Sequence, residues 1–130
     1  MNAYLWLAAA IGIGTITFNA VAQSPDPAVG EHAVTVQFSY GSNDLSRLFK
    51  LEKKLEEAIV EANAGAFEGH ELTADGSGGY LYMLGPDGDT LYQVIEPLLL
   101  GARFMRGVTV KIRYGPASDD VREREVVIAP

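Results

Sequence analysis

The sequence predicts an α+β fold in which two helices cover one face of an antiparallel sheet. Three observations predict it. Apolar and polar residues alternate over 32–40 and 108–114, and 67–73, 79–84 and 121–128 also read as strands. Two stretches with three- and four-residue apolar spacing interrupt them, and the junctions are short and rich in Gly, Asp, Asn or Pro.

The chain opens on a segment that reads as an address rather than as fold. Residues 5–22 hold no Asp, Glu, Lys or Arg, and 5–18 (LWLAAAIGIGTITF) are apolar or small throughout. Ala20, Val21 and Ala22 supply the small-x-small pattern of a signal-peptidase site. Residues 1–22 are therefore expected to be a signal peptide, with an N-terminal anchor or a core helix as the alternatives. The first residues hold no Lys or Arg, unlike an ordinary signal, whereas Gly12, Gly14, Thr15 and Thr17 suit a permanent anchor poorly. Residues 23–31, punctuated by Pro25, Pro27 and Gly30, read as a linker, and 32–130 as one domain.

Within that domain Val34, Val36, Phe38 and Tyr40 alternate with Thr35, Gln37 and Ser39, the period of a half-buried strand. Ser42, Asn43 or Asp44 can cap the helix that follows. Its apolar stripe is Leu48, Leu51, Leu55, Ala58, Ile59 and Ala62, and residues 63–65 stop it. Strands over 67–73 and 79–84 are joined by a DGSGG turn, and YLYML at 80–84 is apolar on both faces, as an interior strand requires. Leu91, Val94, Ile95, Leu98 and Leu99 keep helical spacing across Pro97, which predicts one kinked helix ending at Gly101 rather than two elements. Val108, Val110, Ile112 and Tyr114 form the next strand, and 121–128 close the chain as its hairpin partner. The order βαββαββ is the ferredoxin-like βαββαβ sandwich plus a C-terminal strand.

Composition narrows the function. There are no cysteines, which removes thiol catalysis and thiolate metal sites. Residues 26–96 carry 13 acids against 4 bases, and 97–130 carry 4 acids against 6 bases. A net charge of −7 argues against nucleic acid or anionic lipid as a partner and accommodates a basic one.

The stretches LEKKLEEAI at 51–59, GYLYMLGPD at 79–87 and VTVKIRYGP at 108–116 resemble those of a group of short uncharacterised bacterial proteins. The likeness spans about residues 34–128 and implies the same ferredoxin-like α+β plan, while the group has no assigned activity to carry over. Two better-known ferredoxin-like groups fit poorly. The loop after the first strand lacks the phosphate-holding Arg of acylphosphatases, Arg47 lying a turn into the helix. Tyr80 and Tyr82 lack the basic, aromatic-rich setting of RNA-recognition domains.

No catalytic, cofactor or metal set stands out. His32 and His70 are the only histidines, and in a regular strand Glu68 and His70 share a face that Glu71 does not, so that the segment reads as a solvated strand. Asp75 and the Asp87/Asp89 loop flank one strand and fall at opposite ends of the sheet.

The face the helices leave open is the candidate site: Gln37, Tyr80, Tyr82, Lys111 and Arg113 are expected to stand out from it together. The expectation is a noncatalytic, exported binding module, periplasmic or secreted, that uses this face on a protein or small molecule or to form a homodimer, with no cofactor and no membrane contact after cleavage. An inhibitor or immunity-type protein for a basic partner, and a carboxylate-dependent hydrolase, are the alternatives.

Overall fold

A computed structural model describes residues 31–130. The predicted signal peptide or anchor and all but the last residue of the predicted linker lie outside the described residues. The described chain folds as strands β1 (His32–Ser39), β2 (Ala66–Leu72), β3 (Gly78–Gly85), β4 (Thr109–Arg113) and β5 (Glu123–Val127), with helices α1 (Ser46–Glu61) and α2 (Gly88–Gly101). A short 3₁₀ turn, Arg103–Met105, follows α2. Among the described residues no helix is long and apolar enough to cross a membrane.

The five strands form one antiparallel sheet in the order β2-β3-β1-β4-β5. This is the ferredoxin-like plan with β5 added at one edge as the hairpin partner of β4, and β3 is interior. Alternation sends Val34, Val36 and Phe38 of β1, Leu81 and Met83 of β3, and Val110 and Ile112 of β4 to one face, where all are buried. Leu48, Leu51, Leu55 and Ile59 of α1 and Leu91, Ile95 and Leu99 of α2 meet them there in a single core. Ala58 is only half-buried and Ala62 is exposed, so the apolar stripe of α1 narrows toward its end.

Local chemistry sets the helix ends. The α1 cap sits slightly differently from expectation: Leu45 occupies the N-cap position without a side-chain bond, and Asp44, one residue earlier, accepts the Ser46 amide at 3.0 Å. At the other end Asn63 takes φ 53°, and the Asn63 and Ala64 amides donate back to the Val60 and Ile59 carbonyls, both at 3.0 Å. Those two bonds satisfy carbonyls that the helix leaves open. Gly65 then passes close against β3 at φ 145°, where a Cβ would land on the Leu84 carbonyl oxygen.

Helix α2 starts on Asp87, whose Oδ1 accepts the Asp89 and Thr90 amides at 3.0 and 3.2 Å. His32 Nδ1 accepts the Gly88 amide at 2.8 Å, so the strand-start histidine is a second cap. The helix continues through Pro97 as one element. Proline supplies no N–H for the Gln93 carbonyl, and both Pro97 and Gln93 are exposed, leaving that carbonyl to water.

Candidate binding face

Strand register builds the uncovered face as rows across the sheet. One row is Gly69, Tyr82, Thr35, Lys111 and Glu125; the next is Glu71, Tyr80, Gln37, Thr109 and Val127. Tyr80 and Tyr82, two residues apart on β3, stack with ring centroids 6.1 Å apart and planes 17° from parallel. Beside them lies a shallow concavity of about 330 Å³ lined by Thr35, Gln37, Tyr80, Tyr82, Thr109, Lys111 and Glu125.

Four of the five expected site residues, Gln37, Tyr80, Tyr82 and Lys111, thus come together around one hollow. Arg113 does not line it. It stands one row further along, between Ala33 and Glu123, and its Nε donates to the Gly115 carbonyl at 2.7 Å. The backbone oxygen holds that guanidinium at the end of its strand.

Four contributors were absent from the sequence-based set. Thr35 lies at the centre of the first row, Thr109 is paired with Gln37 in the next, Glu71 Oε1 accepts the Tyr82 hydroxyl at 2.7 Å, and Glu125 lies 3.9 Å from Lys111 Nζ. The Tyr82 hydroxyl rises to about 12, because its bond to Glu71 and then partial burial oppose ionisation. The Lys111–Glu125 pair is exposed, at 48% and 63%, and is weak for that reason. The face accordingly offers aromatic surface, hydroxyl and amide groups, and one cation balanced by a nearby anion.

The other singled-out side chains serve the fold. A register shift between Phe67 and Gly69 breaks the regular alternation of β2, so Glu68 does not share a face with His70 by simple counting. His70 is paired with inward-facing Leu81 and meets α1, its Nδ1 2.6 Å from Glu52 Oε2. The expectation of a solvated strand therefore fails at His70. Burial holds the Glu52 carboxyl above its ordinary value, with the nearby imidazole opposing. Among the described residues no group of three or more His, Asp or Glu side chains could hold a metal.

Asp75 and Asp87 lie at opposite ends of β3, as expected. Asp75 Oδ1 accepts the Ser77 amide, the Ser77 hydroxyl and the Thr73 hydroxyl, bonds that hold its carboxyl at about 2. The Thr90 amide likewise holds Asp87 below its ordinary value. Asp89 accepts the Tyr114 hydroxyl at 2.6 Å and lies 3.6 Å from Arg124. Asp75 and Asp87 are turn and cap groups kept ionised, the reverse of the raised carboxyl a general acid needs.

No protein-family model, curated protein or solved structure matches the chain.

Proposed function

We propose that this protein is a noncatalytic binding module that takes a compact polar ligand on its open sheet face. The observation that carries the reading is the hollow of about 330 Å³ at which the Tyr80–Tyr82 stack meets Gln37, Thr35 and Lys111. Rings give contact area at low entropic cost, and the amide, hydroxyls and ammonium give direction, the division of labour of small-ligand sites. The bonding of Asp75 and Asp87 within their own turns supports binding over carboxylate catalysis. The module acts outside the cytoplasm, a reading supported by the uncharged apolar run at 5–18 and the small residues at 20–22.

The test is a set of small probes of defined class: monosaccharides, free amino acids and dicarboxylates. Each is titrated into isotopically labelled protein while backbone amide shifts are followed. The expected result is a saturable response confined to Thr35, Gln37, Tyr80, Tyr82 and Lys111, lost in Tyr82→Ala with the fold intact. Silence of that face toward every class at millimolar concentration, or a response unchanged in Tyr82→Ala, would sink the reading. The mass of the protein recovered from cell fractions tests the compartment, with a chain beginning at Gln23 expected outside the cytoplasm.

A further inference from the structure

On the opposite side of the molecule the two helices do not close completely. Between the first half of α1 and the end of α2 lies a groove of about 310 Å³, floored by apolar side chains that include Leu98 and Phe104. Every charged side chain lining it is basic: Arg47, Lys50 and Lys54 from α1, and Arg103 from the 3₁₀ turn. These are four of the ten Lys and Arg residues of a chain whose net charge is −7. None of the four has a carboxylate within 4.0 Å among the described residues, where the ion pairs are His70–Glu52, Lys111–Glu125 and Arg124–Asp89. Arg47 is held in place by aromatic rings instead, its guanidinium carbon 5.3 Å from the Tyr40 centroid and 5.2 Å from that of Phe104.

Helix geometry explains the cluster. Arg47, Lys50 and Lys54 are three and four residues apart, so one stripe of α1 carries all three, and like charges so placed repel one another. Arg47 lies in the first turn of α1, the positive end of its dipole, which adds to the repulsion there. The C-terminal carbonyls of α2 lie nearby, but Arg106 Nε, 3.4 Å from the Leu100 oxygen, already serves one of them. Asp44 acts on Arg47 and Lys50 only from beyond ion-pair distance, and a cationic rim above an apolar floor is complementary to a ligand with an anionic head and an apolar body.

We propose that this groove binds a single-chain aliphatic carboxylate of medium length, the head among Lys50, Lys54 and the two arginines and the chain over Leu98 and Phe104. The volume, about 310 Å³, is at the small end of ligand sites, which suits a medium chain such as decanoate better than a long lipid. A second copy of this protein fits less well. Its α1 stripe continues into Glu57 and Glu61, which an antiparallel partner would set against Lys50 and Arg47, but that stripe brings nothing apolar to cover the floor. The uncharged apolar run at 5–18 has the opposite defect, since it leaves four cations without an anion.

The test uses the full chain and three probes below their micellar concentrations: decanoate, decyltrimethylammonium and acetate. Decanoate is expected to shift the amides of Leu98, Gly101 and Phe104 saturably. Binding of either other probe should be weaker by roughly tenfold or more, since one lacks the anion and the other the chain. The double substitution Lys50→Gln, Lys54→Gln, at exposed positions that leave the core intact, should weaken decanoate by roughly fivefold or more. Tyr82→Ala should leave it unchanged, which separates this site from the sheet face. Equal binding of decyltrimethylammonium, an unaltered affinity in the double variant, or shifts confined to the open sheet face would overturn the proposal. So would sedimentation as a dimer that the double variant dissociates, which would make a second copy the occupant, or protection of the groove by residues 5–18.

Discussion

Adjacent residues on β3 provide a quantitative test of the two-faced sheet. Leu81 is fully buried between the helices and the sheet, whereas Tyr80 is half-buried on the open face. Leu81→Ala removes three buried carbons from a core that relaxes only partly, a change that costs about 3 kcal/mol or more. Tyr80→Ala loses the stack with Tyr82 and its contacts with Gln37 and Glu71 across the neighbouring strands, about 1 kcal/mol. A domain of this size holds about 5–15 kcal/mol, so both variants still fold. Thermal unfolding followed by far-ultraviolet circular dichroism should show Tm falling by roughly 12–24 °C for Leu81→Ala and roughly 4–8 °C for Tyr80→Ala. Urea unfolding should give the same ranking with an unchanged slope. Equal losses, or a greater loss at Tyr80, would refute the reasoning, because they would mean that Tyr80 is as deeply covered as Leu81.

Three further outcomes follow from local chemistry. Asp87→Ala leaves the Asp89 and Thr90 amides without their side-chain acceptor and should lower Tm by roughly 4–8 °C, while Asp87→Asn, which keeps an acceptor, should recover most of it. Gly65→Ala meets a backbone carbonyl rather than a movable side chain, at a φ that L-residues avoid, and should cost about 4 kcal/mol or more by urea unfolding. Asp75 has a folded value of about 2 against an ordinary 3.8, so its contribution is present above 3.8 and is lost as pH falls through about 2. The stability difference between the native chain and Asp75→Asn should therefore shrink across that window, and a difference that stays constant from pH 5 to pH 2 would contradict the assignment.

The fold was legible because several signals agreed at each element. Val34, Val36 and Phe38 set the inward face of β1, the NAG at 63–65 marked the end of α1, and Asp87 marked the start of α2. Pro97 did not mislead, since apolar spacing continued past it and its side of the helix faces water. The site was only partly legible. Tyr80, Tyr82, Gln37 and Lys111 follow from alternation alone, but Arg113 shares their face without sharing their hollow, a distinction that depends on register. Glu71 and Glu125 needed the pairing of β2 with β3 and of β4 with β5 before they could be placed beside Tyr82 and Lys111.

Other features depended on structure that a one-dimensional pattern does not carry. The irregularity at Phe67/Gly69 interrupts the period on which the reading of Glu68, His70 and Glu71 relied. His32 looked like an ordinary strand start, and its bond to Gly88 spans 56 positions of sequence. Overall charge pointed to a basic partner, yet four of the ten bases gather at one groove. Arg47, Lys50 and Lys54 were visible as one helical stripe, and Arg103 joins them only because α1 and α2 pack side by side.

The central claim is that the helices leave one side of the sheet bare. Broadening of proton signals by a soluble paramagnetic agent measures this directly, residue by residue. The account predicts strong broadening for the side chains of Gln37, Tyr80 and Lys111 and little for Val36, Leu81 and Val110, which follow or precede them by one position. Protection of Gln37, Tyr80 and Lys111 to the level of those core neighbours would contradict it.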